Sequence, residues 1–176
     1  MDRLHDISER IHGFNEALGR AVAWLTLAMV LLTFLIVVLR YGLDMGSIAV
    51  QEAVTYLHAT VFMAGAAYTL HHRAHVRVDI FYRDLSERGK AWVNLLGCLL
   101  FLFPMCLFIL WSGWDYVLGS WRLMEGSREA GGLPLVFLLK SLIPVLALTL
   151  IAEGVAMTID NILILRSPQP DPDEAP

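Results

Sequence analysis

The sequence predicts an all-α integral membrane protein, with four transmembrane helices preceded by an N-terminal amphipathic helix at the membrane interface. Three observations carry that expectation. Hydrophobic residues make up 57% of the 176 residues, against roughly 45–50% in a soluble domain. Charged residues amount to 17% and lie between apolar runs rather than within them, as in a chain that crosses the bilayer repeatedly. The mean hydropathy is +0.60. The length suits one domain, residues 1–166, and the Pro- and acid-rich stretch 167–176 is expected to be a disordered tail.

In the first nineteen residues, Leu4, Ile7, Ile11, Phe14 and Leu18 recur at helical spacing. This predicts a short helix lying at the membrane surface. Acidic residues are mixed with the bases, and no small-residue cleavage site follows the first apolar run. A signal peptide is therefore not expected. Ala21 to Leu39 carries no charge and is long enough, at about 1.5 Å per residue, to match the ~30 Å hydrocarbon layer. The four spans are placed at about 21–40, 48–70, 91–114 and 138–160.

The second span holds Gln51, Thr55, His58, Phe62, Gly65 and Thr69 at alternating steps of four and three. These residues form one polar and small stripe, which in lipid normally faces protein. His71 to Lys90 is the most basic loop. Ala91 to Trp121 is long enough for roughly 46 Å of helix, so it should tilt, kink or protrude, with Pro104 as the kink site. Trp24, Trp111, Trp114 and Trp121 are expected to be interfacial anchors. Pro134 suits a first helical turn. Cys98 and Cys106 on one helix are about 12 Å apart, too far for a bridge. Four spans put nine Lys/Arg residues on the side of the termini and three on the other, with Lys140 near that second face. The positive-inside rule then places both termini in the cytoplasm.

Little in the chain points to chemistry. No nucleophile elbow, phosphate loop or dinucleotide fingerprint is present, and the net charge of −4 offers no basic tail for nucleic acid. No catalytic, metal-binding or cofactor-binding residue is assigned, and no enzyme is expected. His71, His72 and His75 lack the spacing of a zinc site and suit an interfacial role. Glu52, at a helix start, is expected to pair with Arg40 across the turn. Glu153 is expected to be a hydrogen-bonded acid facing another helix. Lys140 is expected to snorkel or to meet a partner's carboxylate.

Taken in order, Arg40, Gln51-Glu52, His75-Val76-Arg77-Val78-Asp79, Gly132-Leu133-Pro134, Lys140 and Pro144 resemble the small, Q-type (DctQ-like) membrane subunit of tripartite ATP-independent periplasmic (TRAP) transporters. The resemblance runs from about Arg20 to Arg166. It implies a four-helix scaffold bound to a large membrane subunit of about a dozen spans. The large subunit would carry the solute and sodium sites, and a periplasmic solute-binding protein would deliver an organic acid or related small solute. Arg40, Gln51, Glu52, His58, His75, Arg77, Asp79 and Lys140 become candidates for structural or partner-interface roles. Arg77 and Asp79 would fix the start of the third span, and the basic loop would meet lipid headgroups. The competing reading is a haem- or quinone-binding membrane anchor of a redox complex using His58. A third is a small exporter using Glu52.

Overall fold

The computed structural model describes residues 2–72 and 82–167. His75, Arg77, Asp79 and all but the first residue of the expected tail lie outside the described residues. Among the described residues, six α-helices follow in order: α1 (Asp2–Gly42), α2 (Ile48–Ala64), α3 (Ala66–His71), α4 (Glu87–Gly97), α5 (Phe103–Leu123) and α6 (Val136–Arg166). A π-helical turn, Cys98–Leu102, joins α4 to α5. No strand occurs among the described residues. Helix α6 is the hub, packing against all five other helices.

Among the described residues, three stretches are long and apolar enough to cross a membrane on their own: α1, the α4–α5 unit and α6. Residues 48–71 form two pieces of 17 and 6 residues that meet at Gly65. The break has a local cause. Gly65 sits at φ −81°, ψ −9°, and a Cβ there would lie 2.5 Å from the Val61 carbonyl oxygen. The hydrogen-bond ladder nevertheless carries on, from Gly65 N–H to Val61 O and from Thr69 N–H to Gly65 O, both at 3.1 Å.

A separate interfacial helix is not what forms at the N-terminus. Residues 2–42 make one helix of 41 residues, roughly 62 Å long and about twice the hydrocarbon thickness. Gly19 lies at the junction without breaking the helix, and no proline is present there, so the polar first half continues into the apolar second half. Leu4, Ile7 and Phe14 point outward, while the opposite face of the same turns packs on α6.

Pro104, the expected kink site, marks an irregular turn in the α4–α5 unit. Proline has no N–H to give and its ring crowds the preceding turn. The chain absorbs this with the π turn just before it, closed by Phe103 N–H to Cys98 O. The start of that helix is set by Ser86, whose hydroxyl accepts from Gly89 N–H at 3.2 Å. Its end is set by Met124 in the left-handed region (φ 46°), with Glu125 N–H returning to Ser120 O at 3.0 Å. Cys98 and Cys106 are buried free thiols.

The packing is that of a bilayer protein. Among the described residues the apolar interior is mostly small: Ala64, Ala67, Ala91, Ala147 and Ala156 are all buried. Large apolar side chains face outward instead, with Phe101 74% and Trp111 80% exposed. Small residues let helices approach closely, and lipid supplies the apolar surroundings that a soluble core would have to provide. The rest of the interior is polar, and the largest fully buried side chain is Glu153.

Candidate functional site: two polar anchors and an outward polar stripe

At the end of the bundle that holds the described chain termini, three helices converge on one carboxylate. Ser8, His12 and Asn15 recur at steps of four and three on α1, which puts them on one face. Glu153, Ala156 and Asp160 do the same on α6. His71 closes α3. Glu153 is fully buried, and its Oε2 accepts from Asn15 Nδ2 at 2.7 Å. Its Oε1 lies 3.0 Å from His12 Nδ1 and 3.1 Å from His71 Nδ1. Asp160 is held by Ser8 Oγ at 2.6 Å and by His12 Nε2 at 2.9 Å. At the rim, Glu16 pairs with His72 at 2.7 Å and with Arg20 at 3.4 Å. Burying a carboxylate is tolerated only where it finds partners, and Glu153 finds them on two other helices. It is the hydrogen-bonded acid facing another helix that the sequence predicts.

At the opposite end, Glu52 does not pair with Arg40. Its carboxylate accepts from Ser127 Oγ and, at 2.6 Å, from Leu133 N–H. It thereby fastens the 125–133 loop to α2. That loop folds on itself through Ser127 N–H to Leu133 O at 2.9 Å. A Cβ on Gly132 would collide with Ser127 and come within 2.9 Å of Glu52 Oε1. Arg40 is exposed and lines an open groove with Asp44, Met45 and Gln51. The reason is geometric: the loop's backbone and hydroxyl donors occupy both carboxylate oxygens of Glu52, and Arg40 faces the groove.

Lys140 meets a carboxylate of its own chain. Its Nζ lies 2.5 Å from Glu125 Oε2 and 3.8 Å from the centre of the Tyr116 ring. The hydrogen bond from Lys140 holds the Glu125 carboxyl below its ordinary value of 4.5. Because the folded value is depressed, this contribution to stability is complete above about pH 4.5 and is lost as pH falls through the lower folded value. The melting temperature between pH 5 and pH 3 should therefore fall more for the wild type than for Lys140→Met. Equal falls would show that the pair contributes nothing.

Gln51, Thr55, His58 and Phe62, the first four positions of the expected stripe, all face away from the rest of the chain. Thr55 satisfies its hydroxyl on the Gln51 carbonyl at 3.4 Å. Gly65 and Thr69 are partly covered. The stripe is real as a helix face, and it does not face this chain.

The sequence reading missed Ser8, His12 and Asn15. Their spacing is a legible signal, hidden because the same turns also carry an apolar stripe.

The comparisons fit this architecture. The family model described as "Tripartite ATP-independent periplasmic transporters, DctQ component" matches residues 29–163. The chain belongs to the DctQ family. The match takes in the last third of α1, α2 through α5 and nearly all of α6. A Haemophilus influenzae protein bearing the name of a TRAP transporter small permease is 29% identical over 103 residues, 58% of this chain and 63% of that relative. The chain thus spans a little under two thirds of that relative's length. No solved structure gives a significant match. Neither match concerns a haem or quinone protein, so nothing supports the redox-anchor alternative.

Proposed function

We propose that this DctQ-family chain is the small membrane subunit of a TRAP transporter, a static scaffold that binds and steadies a large membrane subunit of about twelve spans. Together with a periplasmic solute-binding protein, the pair would take up an organic acid or related small solute, coupled to sodium. In this reading residues 48–70 form the second of four spans, and both termini are cytoplasmic. The exposed apolar turns of the first half of α1 ride at the inner-membrane interface, and the basic loop meets lipid headgroups. The chain performs no catalysis of its own.

The outward stripe on α2 is the observation that carries the scaffold role. Gln51, Thr55 and His58 lie on the outer face of a bundle whose other outward residues include Phe101, Trp111 and Leu148. Polar side chains left against hydrocarbon are costly, so the face calls for a protein neighbour. Arg40 and its groove with Gln51 continue that face at the end away from the described termini.

His58→Leu is the direct test. Membrane-embedded polar contacts are worth about 0.6 kcal/mol on average and up to about 1.7, so affinity for the large subunit, read as co-purification, should fall roughly threefold to seventeenfold. Phe108→Leu, on an exposed face of α5, should leave it unchanged. Should His58→Leu retain full recovery of the large subunit and full uptake, α2 does not form the seam.

A further inference from the structure

We propose that His12, His71 and Glu153 form a binding site for one divalent transition-metal ion, zinc foremost. This inference does not rest on the partner reading above. One donor atom from each residue lies within 4.8 Å of the other two, and both imidazole Nδ1 atoms approach the same carboxylate oxygen at 3.0 and 3.1 Å. A tetrahedral ion with bonds of 2.0–2.1 Å holds its ligand atoms about 3.3 Å apart. Both nitrogen–oxygen distances already lie close to that spacing.

The atoms behind the donors are arranged as metal sites arrange them. His12 Nε2 is 2.9 Å from Asp160 Oδ2, and Asp160 is itself held by Ser8. A histidine that donates its far N–H to a carboxylate presents the other nitrogen as a lone pair to the ion. Asn15 occupies Glu153 Oε2, so Oε1 is the oxygen turned towards the two imidazoles, with His71 Nδ1 at hydrogen-bond distance. His12 Nδ1 is buried and close to Oε1, yet makes no aligned hydrogen bond. A purely hydrogen-bonded network would need a proton on Nδ1 aimed at that oxygen. A metal bond needs only the lone pair.

Two nitrogens and one carboxylate oxygen suit zinc, and also cobalt, nickel or copper, better than calcium or magnesium. Three protein ligands leave one coordination position open. Glu16, His71 and His72 form a second possible grouping. It shares His71, but its His72 and Glu16 are more exposed and already pair with each other at 2.7 Å, so the ion is assigned to the Glu153 side. The site would clamp α1, α3 and α6 together.

The test uses the full, tag-free chain purified in detergent, stripped with chelator and titrated with zinc chloride. One zinc per chain should bind at micromolar concentration or tighter and raise the melting temperature. His12→Gln and His71→Gln should each weaken binding at least a hundredfold. Asp160→Asn should weaken it ten- to a hundredfold, and His58→Gln should leave it unchanged. No bound zinc in the wild type, or binding that ignores both histidine changes, overturns the proposal. Cobalt loading of the wild type keeps the test decisive if the variants do not fold. Visible bands of low-coordinate cobalt with imidazole ligands support the site, and their absence overturns it.

Discussion

Replacing Glu153 with alanine should cost about 3–5 kcal/mol of stability, the range for removing one partner from a buried charged network. The carboxylate is fully enclosed and is the common partner of groups on two other helices. Its loss strands the Asn15 amide and two imidazole nitrogens in a space with little access for water, and each stranded group carries its own desolvation penalty of about 1–3 kcal/mol. Against a total of about 5–15 kcal/mol for a typical domain, that is enough to lower the folded population in the membrane. Leu148→Ala is the control: Leu148 lies on the same helix but faces outward, 56% exposed, and should cost less than about 1 kcal/mol. Unfolding in detergent micelles, followed by helical circular dichroism, measures both. A double-mutant cycle with His71→Ala should return a coupling on the order of 1–3 kcal/mol. A Glu153→Ala protein within about 1 kcal/mol of wild type would make the network incidental.

The polar positions show where sequence reasoning reached and where it stopped. Apolar runs between charges gave the helices, because chain length against bilayer thickness leaves few alternatives. Pro104 marked the irregular turn, since a missing N–H must be answered locally, and the glycine at 65 fell inside the second run without announcing a break. The N-terminal helix was only half legible because two stripes share its turns: Leu4, Ile7, Ile11, Phe14 and Leu18 suggest a surface helix, while Ser8, His12 and Asn15 suggest a buried seam. Periodicity alone cannot say which stripe faces the protein. That depends on whether another helix offers matching groups, and Glu153 and Asp160 lie more than 130 residues away in the chain. Glu52 failed in a related way. Arg40 is its nearest base in sequence and the opposite charge invited a pair, but the 125–133 loop brings an amide and a hydroxyl that fit the carboxylate better. Glu125 and Lys140, fifteen positions apart, meet for the same reason: the turn after α5 folds back onto α6.

Glu52→Leu should release the 125–133 loop while leaving the helices in place. The carboxylate takes two donors from that loop, a hydroxyl and a backbone N–H, and hydrogen bonds to a charged acceptor are worth about 1.5–3 kcal/mol each. Part of that is regained when water solvates the freed donors, so local opening should become easier by roughly 2–3 kcal/mol. Arg128 is exposed in this loop, and trypsin cleavage after it reads the opening directly. When opening and closing are fast, the cleavage rate follows the open population, so it should rise on the order of thirtyfold to two-hundredfold. Arg40 supplies the discriminating comparison. If the Arg40–Glu52 pair predicted from sequence mattered, Arg40→Glu would rescue Glu52→Arg. Because Glu52 is engaged by Ser127 and Leu133 and Arg40 lies in the separate groove, the double reversal should cleave as fast as Glu52→Arg alone. Restored protection in the double variant would return the two residues to a pair and remove the loop anchor as the role of Glu52.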